Sequence, residues 1–301
     1  MKYRYNKIFW RAGQEITPET FIQADNYICA QQNLIRKLIN LQYYGLLPID
    51  DTNAPSFTVN ATLNGAELSI EQLCCNGVTK EGYLIDFNTN QLPSAKKNRL
   101  IVPGNASRFS YVVLRIHPFE HTLVEPVVNE ETPFALPVYE LDIKELTNIE
   151  GNELPVLKID SSQGHPAIDR NYIPPCMSIR SHQQLLDHYW HLKQSLNGIL
   201  TALNGKKEQY AQLIYPVSFL LFDLEQLSLN APPFHLIQLL KKTVKTIGFF
   251  TKNAQWTQAQ VINAPYTHDD ITPTLQALAK CFQEIHHFIG KGVKEEFMPR
   301  I

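Results

Sequence analysis

The stretch Arg170–Arg180, RNYIPPCMSIR, divides this chain into two kinds of periodicity. Before it, apolar residues alternate with polar ones over short runs; after it, they recur every three or four residues. Tyr172, Ile173 and Ile179 suit extended backbone. Pro174–Pro175 keeps the chain out of helix, because proline fixes φ and biases its predecessor toward extended geometry. Ser181 offers an N-cap oxygen, and Gln184 follows three residues on, as in a capping box. The pattern predicts a strand that is stopped and a helix that is launched within one segment. Tyr172, Ile173, Pro174 and Pro175 are therefore read as a domain junction, with one domain over residues 1–180 and a second over 181–301.

From Ile49 to Ile179 the signals are those of strands. Phe57, Val59, Ala61 and Leu63 alternate with Thr58, Asn60 and Thr62, Asn64–Gly65 marks a hairpin turn, and Leu68–Ile70 returns. Tyr83–Phe87 and Leu100–Val102, the latter ending at Pro103–Gly104, are further short runs. Tyr111–Ile116 is the strongest strand and is expected to be central; Tyr139–Ile143 and Leu154–Ile159 complete the series. No long helix interrupts them, which excludes βαβ units and points to an antiparallel β-sandwich. Ahead of the strands, Thr17 caps a helix predicted from Pro18 to Asn40, with Phe21, Ile28, Ile35 and Leu38 sharing a face and Gln23, Gln31 and Lys37 free to face water. Gly45 is expected to end that segment. Phe9–Trp10 before the helix reads either as a hydrophobic staple or as a docking hook.

After Ser181, Leu185, Tyr189, Leu192, Leu196, Ile199 and Leu203 are spaced 4-3-4-3-4, and Asn204–Gly205 is expected to end that helix. Tyr210, Leu213, Val217, Leu220, Leu224 and Leu227 form a second seam, with Pro216 inside it as an expected kink. A third helix is predicted over 234–250, then a polar loop through Pro265. A last seam runs through Ile271, Leu275, Leu278, Phe282, Ile285 and Ile289. Together these predict a four-helix bundle, so the fold class is a β domain followed by an α domain. Leu213, Val217, Leu220, Leu224, Leu227, Leu278, Phe282 and Ile285 are the predicted bundle or oligomer seam. Ile214, Phe219, Leu221 and Phe222 in the second helix, and Cys281 and Phe288 in the fourth, add a second apolar stripe, read as a subunit interface.

Little points to chemistry. A net charge of −2 argues against nucleic acid as a partner. No apolar run approaches the ~20 residues of a membrane span, and a polar stretch follows the charged start MKYRYNKIFWR, so a cytoplasmic location is expected. The five cysteines, Cys29, Cys74, Cys75, Cys176 and Cys281, lack CxxC spacing and read as reduced, packed thiols. No phosphate-binding glycine motif or nucleophile elbow is present. His117 and His121 are four apart but follow a strand. His188 and His191 lie on a predicted helix without two more ligands in register, and His286–His287 border the last seam. Glu130–Glu131 and Asp269–Asp270 read as solvated charge. No catalytic, metal or cofactor role is assigned.

In combination, three segments carry a family resemblance. Trp10, Gly13, Pro18 and Phe21 match an opening pattern; Tyr44–Gly45 with Leu46 and Ile49 match the segment after its first helix; Tyr172–Ile173–Pro174–Pro175 with Ile179, Ser181 and Leu185 match a sandwich-to-helix junction. In this order they resemble the TssK family, the baseplate adaptors of type VI secretion systems. The resemblance implies a structural protein, not an enzyme: a sandwich akin to the shoulder of phage receptor-binding proteins, a helical neck and a homotrimer. It also implies a cytoplasmic place at the inner face of the envelope, bridging the baseplate wedge proteins TssF and TssG to an envelope-complex protein. Ile8, Phe9, Trp10, Gly13, Pro18 and Phe21 then become the candidate wedge-docking residues. Family members commonly continue into a C-terminal head, whereas this sequence ends at Ile301, so direct docking on TssL or TssM is not expected. Three rivals remain: a phage-type tail or baseplate protein outside secretion, a carbohydrate-binding or hydrolytic sandwich, and a two-domain protein whose bundle dimerises. The three tryptophans, Trp10, Trp190 and Trp256, all lie outside the strands, which weighs against a sugar-binding sandwich.

Overall fold

The structure, a computed structural model, describes residues 7–13, 15–39, 43–48, 57–89, 98–103, 108–124 and 134–291. Asn40, Ile49, Gly104, Glu130 and Glu131 lie outside them. The chain forms two compact units, Met1–Leu46 with Ser56–Arg170, and Leu47–Pro55 with Asn171–Ile301. The boundary between Arg170 and Asn171 lies ten residues before the end of the strand domain read from the change of periodicity.

The first unit begins with α1 (Pro18–Ile39). Thr17 caps it: its hydroxyl and carbonyl oxygens both accept from the Thr20 N–H, at 3.4 and 3.0 Å. Two sheets follow, and every strand pairing among the described residues is antiparallel. In the first, β3 (Glu67–Val78) is the hub. β2 (Phe57–Asn64) and β1 (Gly45–Leu46) share one of its edges; β4 (Leu84–Asn88) and β5 (Arg99–Ile101) share the other. Gly45 thus opens a strand rather than closing the helix. The Asn64–Gly65 hairpin is present, with Asn64 opposite Glu67. The sequence missed that β3 continues past Ile70 through Cys74–Cys75, where polar residues blur the alternation. In the second sheet the order is β7 (Phe134–Lys144), β6 (Phe109–Val124), β8 (Glu153–Asp160) and β9 (Ala167–Ile168). The YVVLRI run is central as expected, and its Val112, Val113 and Leu114 are fully buried.

Side chains from the two sheets meet in one core. The rings of Phe87 on β4 and Tyr139 on β7 meet tilted by 60° with centroids 5.1 Å apart, and the Tyr139 hydroxyl both donates to the Asp86 carbonyl and accepts from the Asp86 N–H. Gly77 on β3 lets the sheets approach: a Cβ there would sit 2.9 Å from the Leu154 side chain of β8. Among the described residues, one carboxylate is wholly buried. Glu153 is held by Arg115 and Lys144, each at 2.7 Å, and by the Glu150 N–H at 2.8 Å. Burial pushes its pKa up, but these three donors outweigh that and hold it below the ordinary carboxylate value.

The second unit contains α2 (Gln183–Gly205), α3 (Lys207–Gln226), α4 (Pro233–Phe250) and α7 (Thr272–Lys291), with two one-turn helices, α5 (Ala254–Thr257) and α6 (Gln260–Asn263), between α4 and α7. α2 packs on α3 and α7, and α4 packs on the same two, which closes a ring of four long helices. The seams face inward: Leu185, Tyr189, Leu192, Leu196, Ile199 and Leu203 of α2 are all buried, as are Leu275, Leu278, Phe282, Ile285 and Ile289 of α7.

Three local expectations change. The serine capping box sits one element earlier, with Ser178 capping a 3-10 turn, Ile179–Ser181. The two hydroxyls are 2.9 Å apart, so Ser181 is spent there and His182 precedes α2 without a side-chain cap. In α3 the residue with non-helical dihedrals is Tyr210, not the region of Pro216. The loop after α4 is partly helical, and its Trp256 is only 3% exposed.

Candidate protein-docking surface

The N-terminal candidates lie in the open. Phe9 is 75% exposed, Trp10 49% and Phe21 58%; Ile8 is half-buried, and Gly13 and Pro18 are exposed. The Arg11 guanidinium lies over the Phe9 ring, 5.4 Å from its centroid. Gly13 turns the chain in the left-handed region, φ +78°, where no other residue type would sit without strain. Thr17 then starts α1 with Pro18 at its first position. The Phe9–Trp10 pair is therefore not a staple plugged into a core; its rings present apolar area to solvent.

The same exposure continues along α1. Phe21, Ile28, Ile35 and Leu38 do share a face, but each is more than half exposed. The helix rests on its own sandwich by the opposite side. Asn33 is buried, Asn26, Cys29 and Ala30 are half-buried, and Gly82 in the turn before β4 comes so close that a Cβ there would meet the Asn33 carbonyl oxygen. Gly82 tolerates this approach and its φ of +86° because it has no side chain. A helix normally turns its apolar stripe inward; α1 turns polar and small residues inward and its apolar stripe outward.

In the second unit the predicted seam and the predicted second stripes part company. Leu213, Val217, Leu220, Leu224, Leu278, Phe282 and Ile285 are at most 3% exposed, and Leu227 is half-buried at the end of α3. These residues are the core of one chain. On α7, Cys281 is buried, and Phe288 meets the Trp256 ring of α5 edge-on at 5.2 Å, so that stripe is also covered from within. On α3 nothing comparable happens among the described residues. Phe219 is 67% exposed and Phe222 57%, and Tyr215, one turn before Phe219, is 75% exposed. Tyr215 was legible in the sequence as the i−4 neighbour of Phe219, and Trp256 was not, because its contact partner is 32 residues away.

The junction residues serve the helical unit. The Tyr172 hydroxyl donates to the Asp269 carbonyl at 3.2 Å, the Ile173 N–H donates to the Thr272 hydroxyl at 2.9 Å, and the Cys176 thiol donates to the Pro174 carbonyl. Tyr172, Ile173, Pro174 and Pro175 are all buried. Beyond them, burial holds the His182 imidazole down to a pKa of about 4, against the opposing pull of the Asp187 carboxylate. Burial also lowers His188, and His191 adds to that. His117 lies on β6, 3.2 Å from Glu140, and is not brought onto a helix face with His121.

These geometries can be set beside known proteins. No protein-family model and no curated relative matches the chain. Among solved structures it is similar to a crystal structure of TssK at 15% identity and TM-score 0.63, over 94% of this chain and 69% of that one. It is similar to a chain of the type VI secretion system TssK-TssF-TssG baseplate subcomplex at 15% identity and TM-score 0.64, over 95% and 99%. A chain of the type VI secretion baseplate complex gives 14% identity and TM-score 0.57, over 94% and 100%. The likeness extends across both the strand and the helical unit, and on that basis the chain has the TssK fold.

Proposed function

We propose that this protein is a structural component of a type VI secretion baseplate, and not an enzyme. The observation that carries the reading is the likeness to TssK over nearly the whole chain, including to a chain from a complex with TssF and TssG. The exposed aromatic cluster fits the same role, since rigid aromatic anchors on an otherwise polar surface are what a protein groove takes up. In this reading Ile8, Phe9, Trp10, Gly13, Pro18 and Phe21 engage TssF/TssG-type wedge proteins. The protein works at the inner face of the envelope, and an envelope-complex protein is engaged at the distal end. No helix among the described residues is long and apolar enough to cross a membrane.

Replacing Phe9, Trp10 and Phe21 together by alanine tests the docking assignment. Aromatic truncations at such anchors cost about 2 kcal/mol or more each, so capture of purified TssF–TssG should fall by at least about a hundredfold. The far-UV spectrum should not change, because all three side chains are largely open to solvent. Capture at wild-type strength would place the wedge contact elsewhere.

The reading also includes a homotrimer, with Tyr215, Phe219 and Phe222 of α3 as the subunit contact. Light scattering should then give about three times the 34.5 kDa chain mass. Phe219→Asp with Phe222→Asp should bring it down to one chain with helix content intact. An unchanged mass would remove α3 from the interface.

A further inference from the structure

From Gln226 to His268 the sequence has no carboxylate, in a chain whose net charge is −2. Its charged residues there are Lys241, Lys242, Lys245 and Lys252, and no arginine occurs between Arg180 and Arg300. The exposed stripe of α4 reads His235, Gln238, Lys242, Lys245 and Phe249: polar and basic until its last turn, and aromatic there. Phe249 is 73% exposed, and its ring meets that of Phe250, also exposed, edge-on at 5.6 Å. Lys252 follows at φ +53°, in the left-handed region that turns the chain out of the helix.

These residues lie at one end of the helical unit. α4 starts beside the junction, where the Ile179 and Arg180 N–H groups donate to the Ala231 and Leu229 carbonyls. Its last turn is therefore at the other end, and contacts gather the neighbouring helix ends around it. Gly248 leaves room for Trp256, whose Cβ would be 3.0 Å from an added Cβ, and Trp256 in turn meets Phe288 of α7. Lys206, between α2 and α3, donates to the Ile289 and Gly290 carbonyls at 2.8 Å. Lys206 thus caps α7, and Lys242 is paired with Asp223 at 3.2 Å. The side chains of Lys207, Lys245 and Lys252 form no ion pair or hydrogen bond among the described residues. On the two turns of each long helix nearest this end, the carboxylates are Glu208 and Glu284.

Exposed aromatic rings among free cations suit an acidic protein or an anionic bilayer. Protein interfaces favour Arg and deplete Lys, because the guanidinium fork binds a carboxylate through two bonds. Every fixed cation of this end is Lys. A lysine keeps its ammonium among lipid phosphates while its stem lies along apolar area, and each one near an anionic leaflet strengthens binding roughly fivefold. We infer that this end of the helical unit docks on anionic lipid: Phe249 and Phe250 enter the headgroup boundary, and Lys207, Lys245 and Lys252 lie against lipid phosphates. The face is separate from Tyr215, Phe219 and Phe222 of α3.

Co-sedimentation of the purified full chain with vesicles tests it. Vesicles of phosphatidylcholine with about 30 mol% phosphatidylglycerol should bind it at least about tenfold more tightly than phosphatidylcholine alone, and high salt should release it. Lys245→Gln with Lys252→Asn, and separately Phe249→Gln with Phe250→Gln, should each weaken binding at least about fivefold. Lys37→Gln, exposed on α1, should bind as the wild type. The melting temperature of each variant establishes that it is folded. Equal binding to the two vesicles overturns the inference, as does wild-type binding by both double variants or an equal loss in Lys37→Gln. Equal binding to the vesicles, with salt-sensitive binding to poly-L-glutamate that needs Lys245 and Lys252, would give this end to an acidic protein instead. Capture of TssF–TssG reads the N-terminal cluster, so that assignment and this one fail separately.

Discussion

Replacing Leu220 and Leu224 together by aspartate is expected to unfold the helical unit, not to part intact subunits. Both side chains are at most 3% exposed, and both point into the ring formed by α2, α3, α4 and α7. Truncating a buried leucine costs about 2–5 kcal/mol, and an unpaired carboxylate in its place adds desolvation. Two such changes match or exceed the roughly 5–15 kcal/mol that holds a domain together. The check is the cooperative thermal transition of the helical signal in circular dichroism, which should be lost or shifted below ambient temperature. A folded protein of altered mass would move these leucines out of the chain's core and into a subunit contact. The contrast is with Phe219 and Phe222 on the same helix, where aspartate enters water and the helix content should survive.

The helical unit should also lose stability in acid through His182. Its pKa is about 4 in the folded chain, against an ordinary value of 6.5. A histidine depressed by burial binds fewer protons folded than unfolded. Its contribution is fully present above pH 6.5 and is lost as pH falls toward about 4. The span corresponds to about 3 kcal/mol, at roughly 1.4 kcal/mol per pH unit. His188, also lowered by burial, acts in the same direction, while Asp269, raised by burial and by Asp270, acts in the opposite one. His182→Gln isolates the effect, since it removes one titration and leaves the others. Urea unfolding of the two proteins between pH 7 and pH 4 should give curves that converge as pH falls. A constant gap between them would mean that His182 titrates alike folded and unfolded.

Much of the architecture is written in local patterns. Six apolar residues on α2 at alternating spacings of four and three must share a face, because the helix turns every 3.6 residues, and all six are buried. The alternation of Phe57–Leu63 and the Asn64–Gly65 turn likewise define a hairpin without reference to anything distant. Thr17 caps α1 through atoms three residues away. The exposed cluster at Phe9, Trp10 and Phe21 was legible as aromatic, and the N-terminal location made docking one of two readings.

What periodicity cannot say is which way a face turns. It groups Phe21, Ile28, Ile35 and Leu38 on one side of α1, but burial there depends on Gly82, more than forty residues later, which accepts the helix by its Asn33 side. The second stripes of α3 and α7 look alike as sequence. Phe288 is covered because Trp256 reaches it from a one-turn helix in a polar-looking loop, and Phe219 and Phe222 have no such cover among the described residues. The sequence by itself determined which residues share a face, since that follows from backbone geometry within a few turns. Only the tertiary structure decided which faces are core and which remain available to a partner, since that depends on pairings between segments far apart in the chain.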